Sequence, residues 1–228
     1  MAWVEDNGWY HDTRIQGNQG IIQFTTGRSL GDQKDPLVRR AVLEQQQISG
    51  IAFGEQVHGN RITVIDRRLS GEHWFKQTDG FVTQCPGMCL GIFTADCVPV
   101  WCVIPGRRLV GIAHAGWRGI AKGIIVNMVQ AMSCLNGNST EHMMVSIGPH
   151  IRSCCYSAGN ECARAFSVSP RERFSLEDEI IAQCIRMGIT ESNVSRAPWC
   201  TAHDHTYFYS YRKENGTEAR MLSVIGCQ

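Results

Sequence analysis

The chain has 228 residues, 43% hydrophobic and 19% charged, with a formal net charge of +1; this describes an ordinary globular protein with a substantial core. Such a balance offers no basic field for nucleic acid or an anionic membrane, and no acidic tail. No apolar run approaches the roughly 20 residues needed to span a bilayer, and 1-MAWVEDNGWYHDTR-14 has acids where a signal peptide has its apolar segment, so a soluble, cytoplasmic protein is expected.

In chain order, 20-GIIQFTT-26 reads as a short strand and 35-DPLVRRAVLEQQQ-47 as a helix. Asp35 is placed to cap that helix, and Pro36 suits its first position. Next, 61-RITVID-66 alternates like a strand. The runs 88-MCLGIFTA-95, 97-CVPVWCVI-104 and 108-RRLVGIAHA-115 are almost continuously apolar, as expected of strands covered on both faces. From Trp117 to Leu135, the apolar residues Ile120, Ile124, Met128, Ala131 and Leu135 fall at helical spacing. Gly116, Gly119 and Gly123 lie along that helix or its entrance. Glycine inside a helix costs about 1 kcal/mol relative to alanine, so close approach of a backbone or ligand is expected there. A strand at 142-HMMVSIG-148, helices at 159-GNECARAF-166 and 175-SLEDEIIAQCIRMG-188, and strands near 206-TYFYSYR-212 and 220-RMLSVIG-226 complete the pattern. There is no repeat, low-complexity stretch or linker, which implies one domain over residues 1–228. The expected fold class is α/β (α+β), with mixed β-sheets packed between helices in a single layered domain.

Eleven cysteines cannot all pair internally; without an export signal they read as reduced thiols, most of them small core hydrophobes. No two are separated by two residues, so there is no CxxC knuckle, and Cys85 and Cys89 read as structural. The adjacent pair Cys154-Cys155 cannot face one site from an extended chain, so one is expected in the core.

Three segments each present one metal-ligating side chain at a strand end: His58 in 55-EQVHGN-60, Cys97 in 94-TADCVPV-100 and His114 in 112-IAHAGWRG-119. Catalytic zinc takes three protein ligands and leaves a fourth position open. The gaps between the three match no local zinc pattern. The same residues also fit a thiol hydrolase, with Cys97 as nucleophile, His114 as base and Asp96 or His58 orienting it; a thiolate serves either role. His203 and His205 would share one face of a strand, although a solvated loop explains them equally. Arg118 follows Gly116-Trp117 at a helix start, where unpaired N–H groups and the helix dipole favour an anion.

Taken together, EQVHG, TDGFVT, GIFTADCVPV, GIAHAGWRG, IGPHIRSCCYSAG and WCTAHDHTYFYSYRKENGTEARM occur in an order that resembles the laccase-domain (YfiH) family. That family was formerly called multicopper polyphenol oxidases and includes purine nucleoside phosphorylases. The resemblance covers about residues 51–226. It implies a zinc enzyme that phosphorolyses adenosine, inosine and S-methyl-5'-thioadenosine and also deaminates adenosine. The metal ligands it implies are His58, Cys97 and His114. The older name implies copper and phenol oxidation, but one three-ligand centre cannot house the several copper types of a true laccase. Some relatives are linked to editing of cell-wall precursors.

Under this resemblance Asp96 is expected to handle protons, Arg118 to hold phosphate, and Gln56 and Trp117 to line a nucleoside pocket. The partners expected are therefore a nucleoside and phosphate, with no nucleic acid and no membrane. Two departures stand out. Only 24-FTTGRSLGDQKDP-36 remains of a usually longer N-terminal segment, which leaves Arg28 without an assigned contact. Ser157 stands where the family commonly has glutamate, so no carboxylate acts there.

Overall fold

The computed structural model describes residues 2–17 and 20–227. The chain opens with strands β1 (Trp3–Asp6) and β2 (Trp9–Asp12), helical turn α1 (Thr13–Gln16), strand β3 (Ile21–Thr26) and helix α2 (Pro36–Gln45). Seven strands follow with no α-helix between them: β4 (Gly50–Gly54), β5 (Ile62–Ile65), β6 (Gly71–Phe75), β7 (Gly80–Thr83), β8 (Met88–Thr94), β9 (Val98–Ile104) and β10 (Leu109–Ala115). Then come helices α3 (Trp117–Ala121) and α4 (Ile124–Leu135) and strand β11 (Met144–Ile147). Helices α5 (Asn160–Phe166) and α6 (Leu176–Arg186) and strands β12 (Val194–Arg196) and β13 (Met221–Cys227) complete the order. Among the described residues no helix is long and apolar enough to cross a membrane.

The strands form two mixed sheets. One runs β1-β2-β3-β13-β8-β4-β6 and the other β12-β11-β9-β10-β7-β5. They stack face to face, as the alternation of side chains shows. In β9 and β10, Trp101, Val103, Val110 and Ile112 pack against Leu90, Ile92 and Met221 of the first sheet. Their neighbours Val100, Cys102, Leu109 and Ala113 instead meet Met128, Val129 and Ile180 from α4 and α6. Helix α2 covers the far side of the first sheet through Val42 and Leu43 against Phe53 and Leu222. The fold is therefore α/β with mixed sheets between helices, as expected, and every residue of β8, β9 and β10 is buried. Burial on both faces is what makes those sequences continuously apolar rather than alternating.

Local signals hold where they are specific. The Asp35 carboxylate accepts the Leu37 N–H at 2.8 Å, with Pro36 opening the helix. Two expectations are corrected. The helix expected from Trp117 to Leu135 breaks at Lys122–Gly123, because Gly123 adopts φ +81°, a left-handed conformation that ends one helix and caps the next. The segment 206–212 is a series of turns, not a strand. Arg28 takes carbonyls there instead: its backbone N–H donates to Tyr207 O at 2.7 Å, and its guanidinium donates to Phe208 O at 3.2 Å and to His205 O just upstream at 3.0 Å and pairs with Glu214. Arg28 thus clamps this segment, and His203 and His205 lie in the turns just before it rather than on one strand face. Strands β1, β2, β4, β6, β7 and β12 are not anticipated by pattern. Most are four or five residues long, too short for periodicity to declare itself.

Candidate metal centre

Strand pairing explains the separation of the three donors in sequence. In the antiparallel β9–β10 hairpin, His114 lies opposite Pro99 and Ala115 opposite Val98, which sets Gly116 across from Cys97. On the other side of β10, Ala113 lies opposite Gly80, which sets Asp79 across from His114. The backbone N–H of His114 donates to the Asp79 carbonyl at 2.7 Å. The β4–β5 loop then brings His58 to the same place. The donor atoms of His58, Cys97 and His114 all lie within 4.8 Å of one another, and the two imidazole centroids are 4.9 Å apart. His114 is buried, Cys97 half-buried and His58 exposed, so the group opens towards solvent on one side.

Asp79 braces this group. Its carboxylate is fully buried, and all its acceptor positions are used. Oδ1 accepts from the backbone N–H of His58 at 3.0 Å and from Nδ1 of His114 at 2.9 Å. Oδ2 accepts from the N–H groups of Val57 at 3.1 Å and Gly59 at 2.8 Å. One carboxylate thus fixes the backbone beneath one histidine and the tautomer of the other, leaving Nε2 of His114 free to ligate. Although burial opposes its charge, these hydrogen bonds and the charge on His114 hold Asp79 below the usual carboxylate value.

The thiol and the buried imidazole are electrostatically matched. Burial raises the Cys97 thiol, but the charge and hydrogen bonds of His114 and then His58 outweigh it and bring the pKa down to about 6. Burial likewise disfavours a charged His114, yet the Cys97 thiolate and the Asp79 carboxylate push its pKa up to about 9. Two backbone positions here are in the left-handed region, His58 at φ 55° and Asp96 at φ 86°, conformations that persist only when the surroundings enforce them. Close packing is part of that enforcement: a Cβ on Gly116 would lie 2.9 Å from Cδ2 of His58 and 3.0 Å from Sγ of Cys97. At Gly119 it would meet the Gly59 carbonyl oxygen at 2.7 Å. These are the close approaches the glycine pattern anticipated.

The three donors open onto a cavity of about 820 Å³, whose wall also includes Gln56, Asp96, Trp117 and Arg118. The expected site residues therefore converge, although several are already committed to partners. Gln56 exchanges two hydrogen bonds with the Phe93 backbone, donating to its carbonyl at 2.7 Å and accepting its N–H at 2.8 Å. Asp96 accepts from the Thr201 hydroxyl at 2.7 Å and from the Arg212 backbone N–H at 2.7 Å; each oxygen keeps a second lone pair. Arg118 stacks 4.3 Å over Trp117 and pairs with Glu161 at 2.5 Å on the exposed rim. The helix behind it, α3, spans only five residues, so it lacks the long dipole on which the anion expectation rested.

One carboxylate behind the site and two residues of the cavity wall are not recognisable in the sequence. Asp79 lies within TDGFVT, one of the motifs of the resemblance, and position alone does not reveal that it faces His114. Arg212 lies in the segment read as a strand; its guanidinium sits 5.2 Å from the Tyr156 ring centroid. Tyr156 follows Cys154-Cys155 and forms part of the same wall.

Residues 13–228 match the family described as "Multi-copper polyphenol oxidoreductase laccase", a match extending well upstream of residue 51. A purine nucleoside phosphorylase of Bacillus subtilis, YlmD, is 32% identical over 92% of this chain and 85% of its own. An adenosine deaminase, RL5, from an unknown prokaryotic organism is 28% identical over 78% of this chain and 75% of its own. Among solved structures, YlmD from Geobacillus stearothermophilus superposes with a TM-score of 0.88, at 26% identity, covering 100% of this chain and 99% of that one.

Proposed function

The chain belongs to the family of multi-copper polyphenol oxidoreductase laccases, and from that premise we propose that it is a cytoplasmic zinc enzyme of purine nucleosides. It phosphorolyses adenosine, inosine and S-methyl-5'-thioadenosine, and it deaminates adenosine. The observation that carries this reading is the braced group of His58, Cys97 and His114, open on one side to a cavity. The names of the phosphorylase and deaminase relatives support it. Two imidazoles and one thiol, with a carboxylate behind the buried histidine, fit a zinc ion that keeps one position open. When bound, the ion supplies a Lewis acid beside the substrate.

The cavity volume of about 820 Å³ lies in the range of roughly 300–1,000 Å³ usual for small-molecule sites. Trp117 and Tyr156 offer aromatic surface for the base. Arg212 is the cation we assign to phosphate: it lies on the cavity wall and enters no ion pair among the described residues. Lys34 lies on the same wall. Arg118 is a second phosphate contact that must first exchange Glu161 for the substrate. Asp96 holds the backbone of Arg212 and, through its spare lone pairs, takes part in proton transfer. Gln56 fixes the His58 loop to the end of β8 and thereby shapes the pocket.

A second reading has an observation in its favour. Cys97, His114 and Asp79 form a thiol–imidazole–carboxylate series, and the low thiol pKa suits a nucleophile. One experiment separates the readings. Bound metal is measured, then adenosine is supplied with and without phosphate while adenine, inosine and hypoxanthine are followed. Phosphate-dependent adenine and phosphate-independent inosine are expected, both lost in Cys97→Ala together with the ion of the His58–Cys97–His114 centre. Equal turnover by Cys97→Ala sinks the assignment. Alkylation of Cys97 in metal-free protein without any nucleoside turnover favours the thiol hydrolase, and copper-dependent phenol oxidation exceeding nucleoside turnover favours the oxidase.

A further inference from the structure

A second group of donors lies outside this site and shares no residue with it. An extended chain would turn the side chains of Cys154 and Cys155 to opposite sides; instead they occupy a turn after β11. In that turn the N–H groups of Cys155 and Tyr156 both donate to the Arg152 carbonyl, at 2.9 and 2.8 Å. Cys154 is exposed, and Cys155, the one that packs against the core, is only half-buried. The turn places the two sulfurs 3.8 Å apart. Cys200 arrives from a distant segment, paired to this one through a His150–Cys200 bridge and a 3.0 Å hydrogen bond from the Thr201 N–H to the His150 carbonyl. The three sulfurs lie within 4.8 Å of one another.

We propose that Cys154, Cys155 and Cys200 form a metal site for a soft, thiophilic cation, Zn2+ or Cu+, separate from the His58–Cys97–His114 centre. The separation of the Cys154 and Cys155 sulfurs suits a thiolate metal site and is too long for a disulfide. Tetrahedral zinc with Zn–S bonds of about 2.3 Å sets its sulfurs about 3.8 Å apart, as Cys154 and Cys155 already are. A disulfide requires roughly 2.05 Å. Three thiolates also suit Cu+, which favours soft sulfur ligands. Cys200, the buried member, is held in place: its sulfur accepts the Arg152 N–H at 3.4 Å, and its own N–H donates to Asp204 at 2.9 Å. Exposed Cys154 leaves one side open, where an ion can enter and a further ligand can bind.

The site joins a segment of the cavity wall to one that lies behind it. One carries Ile151 and Tyr156 of the cavity wall. The other carries Thr201, whose hydroxyl donates to Asp96. A bound ion thus ties the wall at Ile151 and Tyr156 to the segment that holds Asp96, and the inference stands whether or not the proposed nucleoside chemistry is correct.

The test is metal stoichiometry combined with thiol mapping. Metal-free, reduced protein is titrated with Zn2+ or, anaerobically, with Cu+, and bound metal is counted. Wild type is expected to hold a second ion that Cys154→Ser/Cys155→Ser lacks, while Cys97→Ala keeps it. In wild type, the ion must protect Cys154, Cys155 and Cys200 together from alkylation, as read by peptide mass mapping. Substituted Co2+ must show sulfur-to-metal charge transfer that survives in Cys97→Ala. The Zn2+ and Cu+ arms identify the ion by which one protects at lower concentration. Equal metal content in wild type and the double serine variant overturns the proposal. So does unchanged alkylation of the three thiols, or a disulfide forming among them in metal-saturated protein. The alkylation readout uses wild type alone, so it decides even if the variant misfolds.

Discussion

Cys97 and His114 sit at the paired ends of β9 and β10, with His58 in a loop pinned beside them by Asp79, whereas Cys154 and Cys155 hang from a turn and Cys200 from an isolated bridge. Both groups gather three donor atoms within 4.8 Å, so ligand count does not distinguish them. Support does. The first group has a buried carboxylate engaged with four N–H groups of its ligands and their loop, glycines that admit the ligands closely, and a cavity in front. The second has one N–H on one sulfur and exposure at the other end. Reacting groups must be held to within fractions of an ångström, which the strand-borne group is built to do and the turn-borne group is not.

Removing the packing of the first group should have the largest effect. Gly116→Ala places a methyl against both His58 and Cys97; displacing reacting groups by an ångström costs about 100-fold in rate. Nucleoside turnover is expected to fall by that order while the thermal midpoint changes little and the cysteine group keeps its ion. Undiminished turnover in this variant would mean that the close approach at Gly116 does not matter to the chemistry.

Removing the carboxylate brace comes next. Asp79→Asn retains the shape but sets an NH2 group against N–H groups that now meet an acceptor. Loss of such an outer partner lowers metal affinity or activity by about 10–100-fold. Metal dissociation from the strand-borne centre should therefore quicken, whereas the ion on Cys154 and Cys155 should be retained. Parallel loss from both centres would erase the distinction between them.

The smallest effect is a shift along the pH axis. In metal-free protein, Cys97 alkylation should rise with pH about a midpoint near 6, because the thiolate is the reactive form. In His114→Ala the midpoint should move up towards the ordinary thiol range. The linked stability has a definite sign. Stabilisation from the depressed thiol is lost as pH falls through about 6, and that from the raised imidazole is lost as pH rises through about 9. The metal-free fold should thus be favoured by this pair most between those values. Urea titrations at several pH values would show this, and a flat profile would contradict the pairing.

Much of this was readable residue by residue. The strands β8, β9 and β10 declare themselves because burial on both faces forces unbroken apolar sequence, and α2 does so through Asp35 and Pro36. The glycines at 116 and 119 signalled close approach for the right reason. Considered singly, His58, Cys97 and His114 remained ambiguous between structure, nucleophile and ligand; only their shared resemblance to a family singled them out. Asp79 was hidden, because nothing local marks an aspartate before a four-residue strand as the partner of a histidine 35 positions away. Arg212 was hidden by the aromatic alternation of 206–212, where the Tyr207 and Phe208 carbonyls are claimed by Arg28 rather than by a neighbouring strand.

By itself, then, the sequence determined the layered class of fold, the buried strands, the capped helix and the identity of three possible ligands. These depend on local periodicity and side-chain chemistry, which neighbouring residues express directly. Tertiary structure alone decided which carboxylate braces the histidines, where the long helix breaks, that Arg212 lies on the cavity wall, and that Cys200 meets the pair Cys154-Cys155. Those outcomes follow from strand register and turn geometry. Both arise from contacts between residues far apart in the chain, where no short-range pattern records them.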